Sequence, residues 1–129
     1  MAARQIVHME IVTNNLEASD KFYAEAFGWN IQVDPTSNYH MFQLGPEQSG
    51  AFITPQADSP EHPGYKMGEV LLYIGSEDID ADLAKIESLG GKVLNPKFEI
   101  PGTGWMAVFQ DPGGSRLALF TFMPPASAS

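Results

Sequence analysis

The stretch Ile6–Leu16 reads IVHMEIVTNNL, and it decides the fold prediction. In its first seven residues Val7, Met9 and Ile11 fall on one face, and His8, Glu10 and Val12 fall on the other. This period of two predicts a strand with one apolar face and one mixed face that carries both titratable side chains. Asn14 and Asn15 follow the strand, and asparagine is suited to cap the N-terminus of a helix.

A helix is predicted directly after this strand. Its stripe of side chains recurs every three to four residues, has one polar member, and comprises Leu16, Asp20, Tyr23 and Phe27. Gly28 stands where a residue in the left-handed conformation commonly ends a helix. Three further strand patterns follow, at Trp29–Val33, Tyr39–Leu44 and Ala51–Thr54.

The second half of the chain repeats the order strand, helix and three strands. Its strand patterns are Val70–Ile74, Lys92–Phe98, Trp105–Gln110 and Arg116–Phe122. Its helix begins after Asp78, and the first stripe residue, Ile79, lies 63 residues after Leu16. Pro96 marks its second strand as an edge or bulged strand, because proline cannot donate to a ladder.

The repeat predicts an α+β fold. One repeat is too small to bury a sheet face by itself, so two βαβββ modules should form one curved mixed sheet with the helices outside. We expect a single domain, residues 1–129, with modules at about 5–55 and 69–123, a linker at about 55–68 and a frayed tail at 124–129. The inner face of the sheet would line a cleft, with His8 and Glu10 pointing into it.

The amino-acid composition and net charge exclude several classes of binding partner and site. The 129 residues are 43% hydrophobic and 18% charged, as in a globular protein, and the net charge is −9. Nucleic acid and anionic membranes are unexpected partners, because both require clustered Lys or Arg. The absence of cysteine excludes disulfides, thiolate metal sites and a cysteine nucleophile. No apolar run approaches the ~20 residues that span a bilayer, so a cytoplasmic protein is expected.

Short motifs along residues 5–123 resemble, in their order and spacing, the vicinal oxygen chelate superfamily. It includes glyoxalase I, extradiol dioxygenases, and fosfomycin- and bleomycin-resistance proteins. The motifs are His8–Leu16, Phe22-Tyr23, Phe27–Trp29, Asp78–Asp80, Gly90–Val93 and Asp111–Gly114. The resemblance implies paired βαβββ modules, a small-molecule cleft and a homodimer. It does not choose a reaction, because this fold hosts many.

Metalloenzymes that the chain resembles hold a divalent metal with His and Glu side chains on four strands. Carried over by position, the first ligand matches His8, and the second falls within Ala51–Thr54. The third position falls on Leu71 and the fourth on Ala118. The resemblance therefore implies that the usual metal site is lost and that no cofactor is expected. Glu69 is a remote candidate for a non-standard site, and an exposed residue at a strand start is the alternative.

His8 and Glu10 are the candidate catalytic residues. A carboxylate on the same strand face as an imidazole can orient the ring for acid–base chemistry. The alternative for His8 is a hydrogen-bonded cleft histidine without a catalytic role. His40 joins the candidates only if the even positions of its strand face the cleft.

Aromatic side chains supply the rest of the predicted binding site. With His8 and Glu10, the predicted ligand-binding residues are Tyr39, Phe52, Tyr73, Trp105 and Phe120. Aromatic rings offer a large contact area to flat or apolar ligands at a low entropy cost. Packing in the core or in a dimer interface is the alternative for each of them.

Three function hypotheses follow. The first is a metal-independent binder of a small organic molecule, similar to bleomycin-resistance proteins. The second is a metal-dependent lyase or dioxygenase of the glyoxalase I type, with a site rebuilt around His8 and Glu69. The third is a metal-free isomerase or lyase that uses His8 and Glu10.

Overall fold

The computed structural model describes residues 3–59 and 63–122, so the predicted tail at 124–129 lies outside the described residues. The described chain divides into two compact units. Residues 6–59 and 63–72 form the first module, and residues 3–5 with 73–122 form the second. The boundary falls within the fifth strand.

The first module contains one helix and four strands. In chain order they are β1 (Ile6–Val12), α1 (Leu16–Phe27), β2 (Ile31–Val33), β3 (His40–Gly45) and β4 (Gln48–Ile53). The strand order is β2-β3-β4-β1, in which β1 and β4 are parallel and the other neighbours antiparallel. The predicted βαβββ order is confirmed, although β2 begins two residues later than predicted and β4 three residues earlier.

The second module repeats this topology. Its elements are β5 (Val70–Gly75), α2 (Ile79–Ser88), β6 (Lys92–Ile100), β7 (Gly104–Gln110) and β8 (Arg116–Phe122). The order is β5-β8-β7-β6, with β5 and β8 parallel. The strand that contains Pro96 lies at the edge of this module, and its register with β7 shifts on both sides of Asn95. The prediction of an edge or bulged strand is therefore confirmed.

Both helices begin at the predicted caps. The side-chain oxygen of Asn15 accepts a hydrogen bond from the Ala18 N–H at 3.0 Å, and Asp78 accepts one from the Ala81 N–H at 3.0 Å. Gly28 ends α1 with φ of 74°, a conformation that glycine adopts without the clash of a Cβ. Within residues 3–59 and 63–122, no helix is long and apolar enough to cross a membrane.

Each module packs its helix on one face of its strands. In the second module the buried cluster comprises Ile79, Leu83, Ala107, Phe109 and Leu119. In the first module aromatic rings fill this layer, and they are Tyr23, Trp29, Phe42 and Phe52, with centroid separations of 4.4–5.2 Å. Asp20, the polar member of the α1 stripe, lies 2.6 Å from Nδ1 of buried His40. This contact explains a carboxylate on an otherwise apolar stripe.

Gly50 gives room to the aromatic layer. A Cβ at this position would lie 2.3 Å from Cζ of Phe42, and the Phe42 side chain is fully buried. We therefore expect Gly50→Ala to lower the free energy of unfolding by about 1–3 kcal/mol through overpacking. Chemical denaturation would measure the change. Gly45→Ala is the matched control, because no atom lies within 4 Å of its added Cβ. Equal stability of the two variants would contradict this explanation.

Candidate functional site

A buried carboxylate is the centre of the candidate site. Glu10 is 5% exposed, and each of its oxygens accepts a phenol hydrogen bond. Tyr39 donates to Oε2 at 2.6 Å and Tyr65 donates to Oε1 at 2.7 Å. Burying a carboxylate is costly unless hydrogen bonds replace its water. The two phenols supply such bonds.

His8 continues the hydrogen-bond chain toward Ser49. Its Nε2 lies 3.0 Å from the Tyr39 hydroxyl oxygen and 3.9 Å from Glu10 Oε2, and its Nδ1 lies 2.8 Å from Ser49 Oγ. Because the one phenol proton of Tyr39 is donated to Glu10, His8 Nε2–H is the donor in the bond to Tyr39. In the neutral ring Nδ1 then accepts the Ser49 hydroxyl proton. We call Ser49, His8, Tyr39, Glu10 and Tyr65 the polar chain.

Strand register brings these residues together from distant parts of the sequence. His8 and Glu10 alternate on one face of β1, where they lie opposite Ser49 and Ala51 of β4. Tyr39 directly precedes β3. Tyr65 comes from the segment between β4 and β5, where its backbone exchanges two hydrogen bonds with Gln56 at 2.9 and 3.0 Å.

The environment of Tyr39 fixes its role as a donor. Burial raises the pKa of the phenol far above its usual range, and the negative charge of Glu10 raises it further. Tyr39 therefore keeps its proton throughout the physiological pH range. A phenol that stays protonated always has one proton to donate to Glu10.

A small cavity adjoins the polar chain on the same face of the strands, next to β3 and β2. Met41 is opposite Ala51, and Gln43 is opposite Ser49, so both share the face of Glu10 and His8. They line a cavity of about 140 Å³ together with Asn30, Gln32 and Phe42. The face thus combines the polar chain, an exposed thioether and three amide side chains. We call it the β1 face.

The predicted aromatic set is divided by the structure. Tyr39 joins His8 and Glu10 in the first module, and in the second module Tyr73 and Phe120 contact each other edge to face, with centroids 6.3 Å apart. Both of these rings are buried. The sequence prediction placed all of the aromatic residues on one inner face.

Phe52 and Trp105 correct that grouping. Phe52 is opposite Ile11 and packs on Tyr23 of α1, so it lies on the other side of the strands from His8. Trp105 is opposite Thr121 and packs against the helix-side cluster of the second module, whereas Phe120 is opposite Met106 on the other face. Side chains of neighbouring strand residues point to opposite faces, which is why one position separates the two environments.

His40 also lies on the helix side, since it is opposite Phe52 and contacts Asp20. It therefore takes no part in the polar chain. Ser49 and Tyr65 are the site residues that sequence reasoning missed. The only signal for Tyr65 was a tyrosine in a polar, proline-rich segment, and none pointed to Ser49.

Similarity to known proteins identifies the family of the chain. The sequence model of the Glyoxalase/Bleomycin resistance protein/Dioxygenase superfamily matches residues 5–119, which is most of the chain. The chain belongs to this superfamily. The resemblance read from the motifs is thereby confirmed at the level of the family.

The chain is also similar to individual curated proteins. The chain is 32% identical over 117 residues to the anthracycline biosynthesis protein DnrV of Streptomyces peucetius, with 82% of this chain and 42% of that protein covered. It is 30% identical over 119 residues to the putative glyoxylase CFP32 of Mycobacterium bovis, with 87% and 43% covered. The chain thus spans less than half the length of these relatives.

The fold recurs in solved structures. Methylmalonyl-CoA epimerase from Mycobacterium tuberculosis superposes with a TM-score of 0.67 at 17% identity, covering 100% of this chain and 97% of that one. A hypothetical protein from Bacillus halodurans, BH1468, gives a TM-score of 0.72 at 14% identity, with 98% and 99% covered. At such low identity these similarities show the fold alone.

The metal site of the superfamily's metalloenzymes does not fit the residues present. At the carried-over positions, Leu71 and Ala118 are fully buried and have no donor atom in their side chains, and Ala51–Thr54 contains neither a carboxylate nor an imidazole. Both ring nitrogens of His8 are engaged in the polar chain. In the described ranges, no three His, Asp or Glu side chains lie close enough together to hold a metal ion.

Proposed function

We propose that this superfamily member is a metal-independent binder of small organic molecules, and that the ligand lies on the β1 face. The observation that carries the proposal is the polar chain itself. It engages the one histidine that remains of the metal-ligand pattern, together with the nearby Glu10, in hydrogen bonds among protein side chains. Such a face offers hydrogen bonds and apolar contact rather than an open coordination site.

The side chains of the face suggest the kind of ligand. Met41 is 40% exposed, and a thioether adapts its shape to flat or irregular apolar surfaces. The amides of Asn30, Gln32 and Gln43 can donate to carbonyl oxygens at the edge of a ring system. A planar aromatic ketone combines these properties. DnrV is named for anthracycline biosynthesis, and anthracyclines belong to that chemical class.

A metal-free isomerase or lyase is the second candidate. Tyr39 connects His8 to Glu10, so an acid–base group on the face is linked by hydrogen bonds to a buried carboxylate. Histidine and carboxylate side chains positioned at a reacting group serve proton transfer in enzymes. A binder would leave its ligand chemically unchanged, whereas an isomerase would exchange a carbon-bound hydrogen of the ligand with solvent deuterium.

The binder proposal predicts a specific pattern of affinities. We expect Met41→Glu to weaken binding of a planar aromatic ketone about tenfold or more, because a carboxylate would be desolvated against the ligand. Val33→Glu is the matched control. Val33 is 45% exposed on the neighbouring strand, but it lies opposite His40 and therefore on the other face. Calorimetric titration with a panel of anthraquinones would measure both variants.

Metal content tests the same proposal independently. Protein without a His tag would be dialysed against Ni²⁺, Zn²⁺, Mn²⁺ and Fe²⁺ and analysed by elemental mass spectrometry. We expect far less than one metal per chain. A stoichiometric metal that disappears in His8→Ala would overturn the proposal and establish a site rebuilt around His8.

In the calorimetric titration, equal loss of ketone affinity in Met41→Glu and Val33→Glu would count against a ligand on the β1 face.

A further inference from the structure

The polar chain has a direction, and the buried carboxylate sets it. An ionised carboxylate only accepts hydrogen bonds, so Tyr39 must donate to Glu10. The single proton of the phenol is then used, and its oxygen accepts from His8 Nε2. A neutral imidazole carries one proton, so Nδ1 is left as an acceptor for Ser49. Each bond in this series fixes the orientation of the next.

Ser49 is the end of the chain that a ligand can reach. It is half-buried on the β1 face, and Gln43, its neighbour on β3, is exposed. Since the Ser49 hydroxyl proton is directed to His8, the oxygen presents its remaining lone pairs to the face. A hydroxyl group usually offers a donor and an acceptor with equal ease. Here the chain restricts it to accepting.

We propose that Ser49 is a specificity-determining residue that selects ligands with a hydrogen-bond donor, a hydroxyl or an N–H group, and that Glu10 imposes this preference through Tyr39 and His8. The inference rests on the proposed binding function and adds to it the polarity of the ligand group. If the ligand group next to Ser49 can only accept hydrogen bonds, it meets the lone pairs of the Ser49 oxygen, and no hydrogen bond forms between the two acceptors. Unpaired polar groups at a desolvated contact cost affinity.

A matched pair of ligands tests the polarity. The probes are hydroxymethyl-anthraquinone and its methyl ether, which share the ring system and the oxygen but carry a donor proton and a methyl group on that oxygen, respectively. An alcohol keeps this proton at about pH 9, where imidazoles ordinarily are neutral. We expect wild type to bind the alcohol at least about fivefold more tightly than the ether, as one neutral hydrogen bond provides.

Two variants separate polarity from simple contact. Tyr39→Phe combined with Glu10→Gln removes the phenol acceptor of His8 Nε2 and also the carboxylate charge 3.9 Å from that nitrogen, which frees the ring to carry its proton on Nδ1 and lets Ser49 donate outward. We expect the alcohol preference to fall to about twofold or less, through a gain in ether affinity relative to the alcohol. Ser49→Ala should remove the preference as well. Tyr23→Phe, the same chemical change in the aromatic layer, should leave both affinities as in wild type.

The outcomes separate the inference from the function on which it rests. Equal affinities of wild type for the two probes, or a preference that survives in the double variant Tyr39→Phe/Glu10→Gln, would overturn the inference and leave the binding function standing. Binding of neither probe by folded wild-type protein would overturn the proposed function and the inference with it. Circular dichroism of each variant confirms that the protein compared is folded.

Discussion

Phe52→Ala is expected to lower the free energy of unfolding by about 3–5 kcal/mol, a large part of the ~5–15 kcal/mol that stabilises a small domain. Phe52 is 2% exposed and contacts the rings of Tyr23 and Phe42. Alanine would leave a cavity between Tyr23 of α1 and Phe42 of β3, and neighbouring side chains relax only partly into such a cavity. Urea denaturation monitored by circular dichroism would measure the loss.

Phe22→Ala provides the comparison for this result. Phe22 lies on α1 of the same module and is 58% exposed, so its removal should cost less than about 1 kcal/mol. A loss below about 1 kcal/mol for Phe52→Ala, accompanied by weaker ligand binding, would show that Phe52 lines the ligand site. That result would restore the original sequence prediction for this residue.

Glu10→Ala should have the second large effect, a loss of about 2–4 kcal/mol of stability. The substitution leaves the hydroxyls of Tyr39 and Tyr65 without this acceptor, and Tyr65 is buried. Each lost hydrogen bond to a charged group costs about 1.5–3 kcal/mol. Removing a buried charge offsets part of the loss, because its desolvation penalty disappears as well. The free energy lost with the two phenol hydrogen bonds should exceed the desolvation penalty that is relieved, because both bonds are short and direct.

A double-mutant cycle resolves these two contributions. Glu10→Gln keeps the shape and one carbonyl acceptor, and Tyr65→Phe removes one of the two phenols. If the hydrogen bond to Tyr65 stabilises the fold, the double variant should lose less stability than the sum of the single variants, by about 0.5–3 kcal/mol. Strict additivity, or a Glu10→Ala variant as stable as wild type, would contradict a stabilising role for this network.

The elements of the fold followed from local sequence patterns. Alternation predicted β1 with its observed bounds, and the caps at Asn15, Gly28 and Asp78 were identified from residue type and position. These signals are local because a cap or a strand period involves residues within a few positions of each other. The strand limits were less accurate at β2, where the alternation begins two residues before the observed strand, and at β4, where Gln48, Ser49 and Gly50 carry no clear periodicity.

The candidate site could be predicted only in part. His8 and Glu10 were identified because both lie on one strand, whose alternation shows that they share a face. Tyr39 was assigned to a ligand-lining aromatic set, and the structure gives it a hydrogen-bonding role between His8 and Glu10. The homodimer and the absence of a resident metal stay predictions that the experiments above, together with a measurement of mass in solution, can test.

The sequence by itself determined the repeated βαβββ order, the superfamily and the titratable pair on β1. Tertiary structure decided which distant residues meet that pair. The register of β4 on β1 places Ser49 opposite His8 and turns Phe52 toward α1, and a shift of one residue would exchange these two environments. No local pattern encodes that register, because it depends on how whole strands pair and on how the segment before β5 brings Tyr65 to Glu10.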